Sequence, residues 1–418
     1  MEKAAIQILV LLLALAVHLT ICYSLQESEV QTRGKTKEAE SMCEEVLKGS
    51  GYPCMEYTVQ TEDGFLLGLQ RIPHGLGNKV QPLMNKHKTP VLLQHGVVLG
   101  GDIWFLNLPA QSLGFMLADE GFDVWVANVR GTRWSHGHIA LTKHEQQKKN
   151  TKKEKNYWDW SWDELAMYDL PAMLEFVYKT TGSKVFYVAH SQGTIMGMAA
   201  FSQTKVNSMV AAAALLSPIT YLDHITSNFI KYAADHYVDR MVKTMGMRQF
   251  NLHNELGVEL IDWVCMKEDV DCGNFLTALT GPNCCFNDTR IPQYLEFEPH
   301  STSLKNLVHL AQMIRRGTFG KYDYGYLGNL QHYLRLNPPE YDLSLIPATL
   351  PMWIAWGGND ALSDPTDVLH MLKKLRTKPA AMVYLPDYAH LDFVLSVHAK
   401  EDLYNSMINF FRSHAELY

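Results

Sequence analysis

A serine, an aspartate and a histidine each follow a short apolar run, and they occur in that order along the chain. Ser191 follows VFYVAH, Asp360 follows WIAWGGN and His390 follows VYLPDYA. A serine hydroxyl is a weak nucleophile at neutral pH, so it needs a base such as His390 to take its proton. Asp360 on the other ring nitrogen would fix the imidazole tautomer and stabilise the imidazolium. The three residue types therefore predict acyl transfer through a serine ester.

Two backbone N–H groups are expected to bind the negative charge that develops on the carbonyl oxygen. The turn at Ser191 would expose the serine Oγ and direct a helix N-terminus towards this charge, with Gln192 N–H as one donor. The second donor is expected from the loop after an early strand. His95-Gly96-Val97 follows PVLL, and Val97 N–H is the candidate. Loss of one such donor lowers the rate by about 10²–10³.

Each residue considered alone also has an ordinary structural explanation. The turn reads A-H-S-Q-G, so Ala189 stands where the nucleophile pattern G-x-S-x-G has its first glycine. Asp364 and Asp367 are alternatives to Asp360 as turn or site carboxylates. Asp392 is expected to be structural, because it lies too close to the histidine along the chain to orient its ring. Residue types, positions and chain order together favour the catalytic interpretation.

The apolar runs that precede these residues predict a mostly parallel sheet. They are apolar almost throughout, as is typical of strands covered on both faces, and they occupy residues 90–96, 121–131, 184–193, 351–360 and 380–390. Residues 56–73 predict a hairpin that turns at EDG. Helix-like stretches alternate with the runs. The predicted fold class is α/β, with helices on both faces of the sheet, and ligands bind at the carboxyl ends of such strands.

The alternation of strands and helices stops between about residues 218 and 347. This stretch is rich in methionine and aromatic residues, and it predicts an inserted helical cap that mixes core with acyl-binding surface. The expected domains are a signal peptide at 1–24, a first core part at 25–217, the cap at 218–347 and a second core part at 348–418.

Residues 1–24 have the charged start, apolar run and small residues of a secretory signal. An uncleaved membrane anchor is the alternative, although Gln7 and His18 interrupt the apolar run. No later segment is long and apolar enough to span a membrane. Asn287 begins an N-D-T glycosylation sequence, which predicts an exposed loop of a secreted glycoprotein.

Six cysteines remain after the predicted cleavage, and an even number in an oxidising compartment suggests disulfide bonds. Their full connectivity stays open. Cys43 and Cys54 are close enough in sequence to pair, and so are Cys265 and Cys272. The adjacent residues Cys284 and Cys285 are expected to bond elsewhere rather than to each other.

Composition excludes several classes of function. The formal net charge of −7 argues against a nucleic-acid binder, which would show a basic face. No C-x-x-C pair and no H-E-x-x-H occurs, so no metal site is expected. The lysine-rich residues 143–155 predict a solvated loop, with contact to anionic lipid as the alternative.

The order of motifs resembles that of acid lipases. LQHG, NVRGTRWSHGH, AHSQGT, WGGNDALSDPTDV and DYAHLDF occur in the order found in the gastric and lysosomal acid lipase family, including its plant triacylglycerol lipases. The resemblance runs from about Cys43 to the C-terminal helix. It implies an α/β-hydrolase core under a helical cap, and lipid ester hydrolysis without a metal or organic cofactor. The family's usual turn is G-H-S-Q-G, from which Ala189 departs.

The resemblance places the family's catalytic triad on Ser191, Asp360 and His390, and its oxyanion donors on Val97 and Gln192. The predicted function is that of a secreted serine lipase that hydrolyses triacylglycerol-like esters at a lipid–water interface. An esterase for small soluble acyl esters and a hydrolase-fold protein that binds a small apolar ligand are the alternatives. The expected location is extracellular, such as the apoplast, with the vacuole or another lytic compartment as the alternative.

Overall fold

The computed structural model describes residues 41–77, 88–141, 157–203, 205–251 and 275–415. The predicted signal peptide, the lysine-rich residues 143–155, Cys265 and Cys272 lie outside these ranges. No helix in the described ranges is long and apolar enough to cross a membrane.

The main sheet has nine strands and is mostly parallel. Its long strands lie in the order β1-β2-β4-β3-β6-β7-β10-β11, and the short β5 pairs with β2. In this spatial order, the six strands β4, β3, β6, β7, β10 and β11 are parallel to one another. Strands β1, β2 and β5 are antiparallel to their neighbours. Their bounds are β1 Met55–Gln60, β2 Phe65–Ile72, β3 Pro90–Gln94, β4 Asp123–Ala127, β5 Gly137–His138, β6 Val185–His190, β7 Val210–Leu216, β10 Met352–Gly357 and β11 Ala381–Leu385. A separate two-stranded sheet pairs β8 Gln249–Phe250 with β9 Thr302–Ser303. The predicted fold class is confirmed, and so is the hairpin at residues 56–73.

Both faces of the parallel strands are buried. Along β3 and β4, alternate side chains enter two different apolar clusters: Leu92 and Trp125 point into one, while Val91 and Val124 point into the other. Side chains of successive strand residues point to opposite faces, so this alternation places one cluster on each side of the sheet.

Thirteen α-helices are described, and they cover the sheet and fill the stretch between β7 and β10. Their bounds are α1 Leu113–Asp119, α2 Trp162–Glu164, α3 Leu170–Thr181, α4 Gln192–Phe201, α5 Asn228–Asp235, α6 Val238–Thr244, α7 Phe275–Thr280, α8 Ile291–Phe297, α9 Leu304–Arg316, α10 Gly325–Tyr333, α11 Pro365–Lys374, α12 Asp392–Leu395 and α13 Asn405–Ala415. Helices α5 to α10 follow β7 and precede β10, and this stretch is called the insertion below. Side chains of α3 and α4 enter one apolar cluster, and those of α1 and α13 enter the other.

Strand β7 was missed by the sequence analysis. Its sequence VAAAALL favours a helix on alanine propensity alone. All seven residues are nevertheless buried, because β7 lies between β6 and β10 in the middle of the sheet. Strand β11, by contrast, is an edge strand whose residues alternate between half-buried and exposed, so the expectation of burial on both faces is wrong there.

A buried arginine joins three parts of the core. Arg130 donates to Asp169, which precedes α3, with its Nε at 2.8 Å from Oδ1, and it forms a bidentate pair with Asp63 in the β1–β2 turn. Its guanidinium also lies 3.8 Å from the centre of the Phe65 ring. Only 1% of the Arg130 surface is exposed, so its two carboxylate partners compensate a charge that water does not reach.

Two disulfide bonds are described. Cys43 pairs with Cys54, as their spacing allows. Cys284 pairs with Cys285, so the expectation that these two residues bond elsewhere is wrong. The N–H groups of both cysteines donate to the single carboxylate of Asp392, so one acceptor holds the backbone of this dipeptide.

Candidate active site

Ser191 occupies the sharp turn between β6 and α4. Strand β6 ends at His190 and α4 begins at Gln192, so one residue makes the whole change of direction. The Ser191 backbone has φ 54° and ψ −121°. Residues in such sparsely populated conformations cost about 1–3 kcal/mol each and cluster at functional sites. A strained serine between a central strand and a helix is the arrangement expected of a nucleophile.

Two glycines allow other backbone segments to approach this turn. A Cβ on Gly96 would lie 2.9 Å from the Ser191 Cβ. A Cβ on Gly193 would lie 2.8 Å from Gln94 Cγ and 2.9 Å from the Gln94 carbonyl oxygen. Real Cβ atoms essentially never approach non-bonded atoms this closely, so any larger residue would push β3 away from the turn.

Ser191, His390 and Asp360 are joined by hydrogen bonds. The Ser191 Oγ lies 2.7 Å from His390 Nε2, and His390 Nδ1 lies 2.9 and 3.0 Å from the two carboxylate oxygens of Asp360. An ionised carboxylate can only accept, so the imidazole proton is on Nδ1. Nε2 therefore has a free lone pair that faces the serine hydroxyl, which is the geometry that a general base requires.

Asp360 is held in its ionised form. Its side chain is fully buried, and its Oδ1 also accepts hydrogen bonds from the N–H groups of Leu362 and Ser363, at 2.9 and 2.7 Å. Burial acts to raise the pKa of the Asp360 carboxyl, but the His390 ring and the two N–H groups outweigh it and keep the pKa below its usual value. The carboxylate can therefore stabilise an imidazolium at His390.

The other carboxylates near these motifs have different partners. Asp364 accepts from a backbone N–H as the N-cap of α11, and Asp367 bonds the ring of His224. Asp392 accepts backbone N–H groups. The sequence expectation that Asp392 is structural agrees with these contacts.

Val97 and Gln192 lie in the segments that meet at Ser191. Gln192 is the first residue of α4, and the first N–H groups of a helix have no acceptor within the helix. Val97 follows Gly96, the residue that packs against Ser191. Among the described residues, the Val97 N–H has no backbone acceptor.

Two buried histidines that the sequence analysis did not single out position this backbone. His190 Nε2 donates to the carbonyl of His390 at 2.9 Å, and burial, followed by the nearby His390 ring, lowers the pKa of His190 to about 3. His95 Nδ1 donates to the carbonyl of Gly96 at 2.8 Å, and burial lowers the pKa of His95 to about 4. Both rings are neutral at pH 7. In the sequence, only their positions mark these histidines, because His190 directly precedes Ser191 and His95 directly precedes Gly96.

The insertion supports the loop that carries His390. The N–H of His390 donates to the carbonyl of Thr280 at 3.1 Å, and the N–H of Leu391 donates to Asn283 Oδ1 at the same distance. Thr280 ends α7 and Asn283 lies three residues beyond it. The insertion therefore holds the position of the candidate base.

Ser191 is buried, contrary to the expectation of an exposed Oγ. Only 2% of its surface is accessible. The insertion reaches the same turn, since Asn306 Nδ2 in α9 donates to the Gln192 side-chain oxygen at 2.6 Å. The arrangement is a closed one in which the serine faces protein rather than solvent.

Two groups of residues in the described part of the chain have the donor atoms for a metal ion. Asp102, Glu298 and His300 are buried together, and Asp223, His224 and Asp367 are closer to the surface. Neither group includes the serine, histidine or aspartate of the hydrogen-bonded chain.

Comparison with known proteins supports one family. Residues 43–108 match the family described as a partial α/β-hydrolase lipase region, and residues 89–255 match the α/β-hydrolase fold family. Triacylglycerol lipase 1 of Arabidopsis thaliana is 49% identical over 403 residues, which cover 96% of this chain and 98% of the relative. Gastric triacylglycerol lipase of Rattus norvegicus is 38% identical, with 86% and 88% covered. The chain belongs to the gastric lipase family of α/β-hydrolases. The resemblance read from the sequence motifs is confirmed.

Solved structures show that the fold extends beyond the gastric lipase family. A soluble variant of monoglyceride lipase from Saccharomyces cerevisiae has a TM-score of 0.52 at 15% identity, with 85% of this chain and 94% of that chain covered. A carboxyl esterase from Bacillus coagulans has a TM-score of 0.51 at 11% identity, with 86% and 98% covered. At such low identity these likenesses concern the fold alone.

Ala189 is the position at which the turn departs from the nucleophile pattern G-x-S-x-G. The residue is fully buried in β6, and it pairs with Gln94 of β3 and Leu215 of β7. The positive φ at the turn falls on Ser191 and not on Ala189. Regular strand geometry accommodates a methyl group, so the alanine leaves the turn intact.

Proposed function

We propose that the protein hydrolyses carboxylic esters of lipids, with triacylglycerol-like molecules as substrates. The observation that carries the proposal is the hydrogen-bonded chain from Ser191 Oγ through His390 to Asp360, located at a strained strand-to-helix turn. Relatives named as triacylglycerol lipases over nearly the whole chain support a lipid ester as the substrate class.

In the proposed acylation step, Ser191 Oγ attacks the ester carbonyl carbon and its proton moves to His390 Nε2. The carbonyl oxygen becomes an oxyanion, which accepts hydrogen bonds from the N–H groups of Val97 and Gln192. His390 then gives its proton to the leaving alcohol oxygen as the C–O bond breaks. Asp360 remains ionised and stabilises the imidazolium throughout.

In the proposed deacylation step, water replaces the alcohol. The water oxygen attacks the acyl carbon while His390 Nε2 takes a proton from the water. The N–H groups of Val97 and Gln192 bind the second oxyanion that forms. The proton returns to Ser191 Oγ as the fatty acid leaves. Proton and electron balance is complete without a further co-reactant, so we propose no cofactor and no metal for this reaction.

The domain assignments from the sequence form part of this proposal. Residues 218–347 would act as the cap, which is supported by the 2% exposure of Ser191 and by the contact of Asn306 with Gln192. Substrate entry would then require this part to open. Residues 1–24 would direct secretion, and Asn287 would carry a glycan. The Asn287 Oδ1 accepts from the Thr289 hydroxyl at 2.7 Å, which leaves the amide nitrogen as the modification site.

An exposed apolar surface supports a lipid–water interface as the partner. Four large apolar side chains of α10 and the chain beyond it face solvent: Leu327, Leu330, Leu334 and Leu336. Leu327 and Leu334 are 79% and 85% exposed. Leu327 and Leu330 are three residues apart in α10 and so share one face of this helix, and exposed apolar surface that groups in this way is typical of interaction sites. The double variant L327Q/L334Q should slow hydrolysis of an emulsion and leave hydrolysis of a soluble ester unchanged.

The central experiment measures fatty acid release from emulsified long-chain triacylglycerol beside hydrolysis of a soluble short-chain ester. The variants are Ser191→Ala and, as a matched control, Ser202→Ala. Ser202 is also a buried serine at an end of α4, but its hydroxyl donates to the Ala199 carbonyl at 2.7 Å. Wild type and Ser202→Ala should hydrolyse both substrates, and Ser191→Ala neither.

Each other outcome selects a different function. Hydrolysis of the soluble ester alone would make the protein an esterase for small acyl esters. A wild type that hydrolyses neither substrate and that fails to react with a fluorophosphonate at Ser191 would support an apolar-ligand binder and refute the enzyme.

A further inference from the structure

The loop that carries the Val97 amide is held by a distant part of the chain. The N–H of His300 donates to the carbonyl of Val98 at 2.7 Å, and the N–H of Gly100 donates to Glu298 Oε1 at 3.0 Å. Glu298 and His300 follow α8 in the insertion, about two hundred residues after the loop. Two hydrogen bonds from one tripeptide therefore fix the backbone directly after Val97.

The backbone at Val98 needs such support. Its φ is 52°, in the left-handed region, where a β-branched side chain is a genuine outlier. Conformations of this kind persist only where the surroundings determine them. The bond from the His300 N–H to the Val98 carbonyl is the contact that fixes this peptide unit.

The packing around Gly100 leaves no room for a side chain. A Cβ at Gly100 would lie 2.3 Å from both Asp102 Oδ1 and His300 Nε2. The insertion also reaches the second candidate oxyanion residue, since Asn306 donates to the side chain of Gln192. Both proposed N–H donors therefore adjoin the same stretch of the insertion.

Hydrogen bonding determines the proton positions in the buried group. The N–H of Arg133 donates to His300 Nδ1 at 2.9 Å, so Nδ1 is an acceptor and the ring proton is on Nε2. Nε2 then donates to Asp102 Oδ1 at 3.0 Å, and the Trp134 indole N–H donates to the same oxygen at 2.7 Å. A ring nitrogen that carries a proton cannot bind a metal ion. Asp102, Glu298 and His300 therefore form a hydrogen-bonded group rather than a metal site, and this group is called the clamp below.

Glu298 is the unusual member of the clamp. Its Oε2 is buried, has no hydrogen-bond partner among the described residues, and lies 3.8 Å from His300 Nε2. Burial, and next the charge of Asp102, raise the pKa of Glu298 well above its ordinary value. Burial acts to raise the pKa of Asp102 as well, but the electrostatic effect of the His300 ring, followed by the hydrogen bonds from His300 and Trp134, outweighs burial and keeps that pKa below its usual value.

In the described part of the chain, Glu298 forms no ion pair with a lysine or an arginine, and its nearest basic group is the His300 ring. His95 is neutral above about pH 4. The guanidinium of Arg133 pairs with Glu45 and lies over the rings of Trp134 and Phe297. Ionisation of Glu298 would thus place a second negative charge beside Asp102.

We propose that Glu298 and His300 are positioning residues of the active site, which hold the loop so that the Val97 N–H faces the ester carbonyl. This inference rests on the proposed ester hydrolysis at Ser191. Glu298 lies beside the Asp102 carboxylate, so the clamp is free of like-charge repulsion only while Glu298 carries its proton. Because the pKa of Glu298 is raised on folding, the stabilising contribution is full below the ordinary glutamate pKa of about 4.3 and is lost as pH rises through the raised value. Activity should fall on the alkaline side for this reason.

The test compares kcat and KM for a soluble short-chain ester from pH 4 to 9, at constant ionic strength. In Glu298→Gln, the amide oxygen can still accept from Gly100 and the group cannot ionise. Its kcat at pH 5 should stay within about threefold of wild type, and its alkaline decline should disappear or move up by at least about one pH unit. Glu296→Gln removes the same charge from an exposed position two residues away and should reproduce the wild-type profile.

His300→Ala tests the geometry of the clamp. Its kcat should fall at least about tenfold with KM changed less than about threefold, because a misplaced oxyanion donor affects the transition state more than substrate binding. Circular dichroism and thermal melting establish that the variants are folded. If Glu298→Gln and wild type share one alkaline limb, or if His300→Ala lowers only thermal stability, the positioning role is wrong.

A second measurement separates this failure from failure of the proposed function. The rate of Ser191 phosphonylation by a fluorophosphonate reports the same oxyanion site without ester turnover. A shifted pH profile of labelling in Glu298→Gln supports the clamp even if no ester is turned over. Identical labelling profiles overturn the clamp alone, whereas no labelling of the wild type refutes the proposed function and the clamp with it.

Discussion

Replacement of Asp360 by asparagine gives the sharpest test of the proposed mechanism. The Asp360 Oδ1 accepts two backbone N–H groups, at 2.9 and 2.7 Å, and these donors require an oxygen at that position. The asparagine must then place its NH₂ at the position of Oδ2, which lies 3.0 Å from His390 Nδ1. An NH₂ group can only donate, so at this position it repels a proton on Nδ1 and favours the tautomer with the ring proton on Nε2, although the retained oxygen at the Oδ1 position also lies 2.9 Å from Nδ1. In the Nε2 tautomer, the base faces Ser191 with a proton instead of a lone pair.

The size of the effect follows from this tautomer change. Loss of the carboxylate in a serine triad lowers kcat by about 10⁴, which corresponds to about 5.4 kcal/mol of barrier. The fold should persist, because the asparagine keeps both backbone hydrogen bonds and the volume of the buried side chain. KM should change little, since the substitution does not touch the acyl-binding surface.

The assay is hydrolysis of a soluble short-chain ester at pH 7, with circular dichroism and thermal melting of each variant. Asp364→Asn is the matched control, since Asp364 lies four residues away and asparagine serves equally well as the N-cap of α11. It should retain wild-type kcat. The reasoning is refuted if folded Asp360→Asn keeps more than a tenth of the wild-type kcat, or if both variants lose activity equally.

Three further changes test the packing around this site and in the core. Gly96→Ala places a Cβ 2.9 Å from the Ser191 Cβ, so ester hydrolysis should fall at least about tenfold and stability by about 1–3 kcal/mol; unchanged kcat would contradict the close approach. The double variant Cys43→Ser/Cys54→Ser opens a loop with a sequence separation of 11, which should lower the free energy of unfolding in urea by about 3 kcal/mol. If a reductant destabilises the wild type and the double variant equally, the disulfide bond is not the source of this stability. Arg130→Met leaves the buried Asp169 carboxylate without its cation and removes the pair with the more exposed Asp63. It should cost about 3–5 kcal/mol in the same assay, and a loss below about 1 kcal/mol would show that the pairs are not the main support.

The residues of the candidate site could be predicted because local sequence determines where they lie. Ser191, Asp360 and His390 each follow the end of a parallel strand, and the carboxyl ends of parallel strands meet at one edge of the sheet. Apolar runs covered on both faces indicate such strands before any contact is known. Gly96 and Gly193 complete the pattern, because a turn that lacks side chains can approach its neighbour.

The contacts that hold these residues in place could not be predicted in the same way. The bond between Glu298 and Gly100 joins residues 198 positions apart, and no periodicity links them. Strand β7 was missed for a related reason: alanine favours a helix locally, and only its place between two other strands makes it extended. The backbone N–H groups of Cys284 and Cys285 donate to the Asp392 carboxylate, which lies more than a hundred residues later.

The hydrogen bonds between the insertion and the core have a consequence for protein engineering. Thr280 and Asn283 hold the loop of the base, while Glu298 and His300 hold the loop after β3. The insertion is therefore not an interchangeable module that could be transplanted to alter acyl-chain preference. A chimaera that exchanges the insertion must also exchange the two loops that contact it, near residues 97–102 and 389–392. Otherwise the hydrogen bonds between the insertion and these loops are lost on both sides of Ser191.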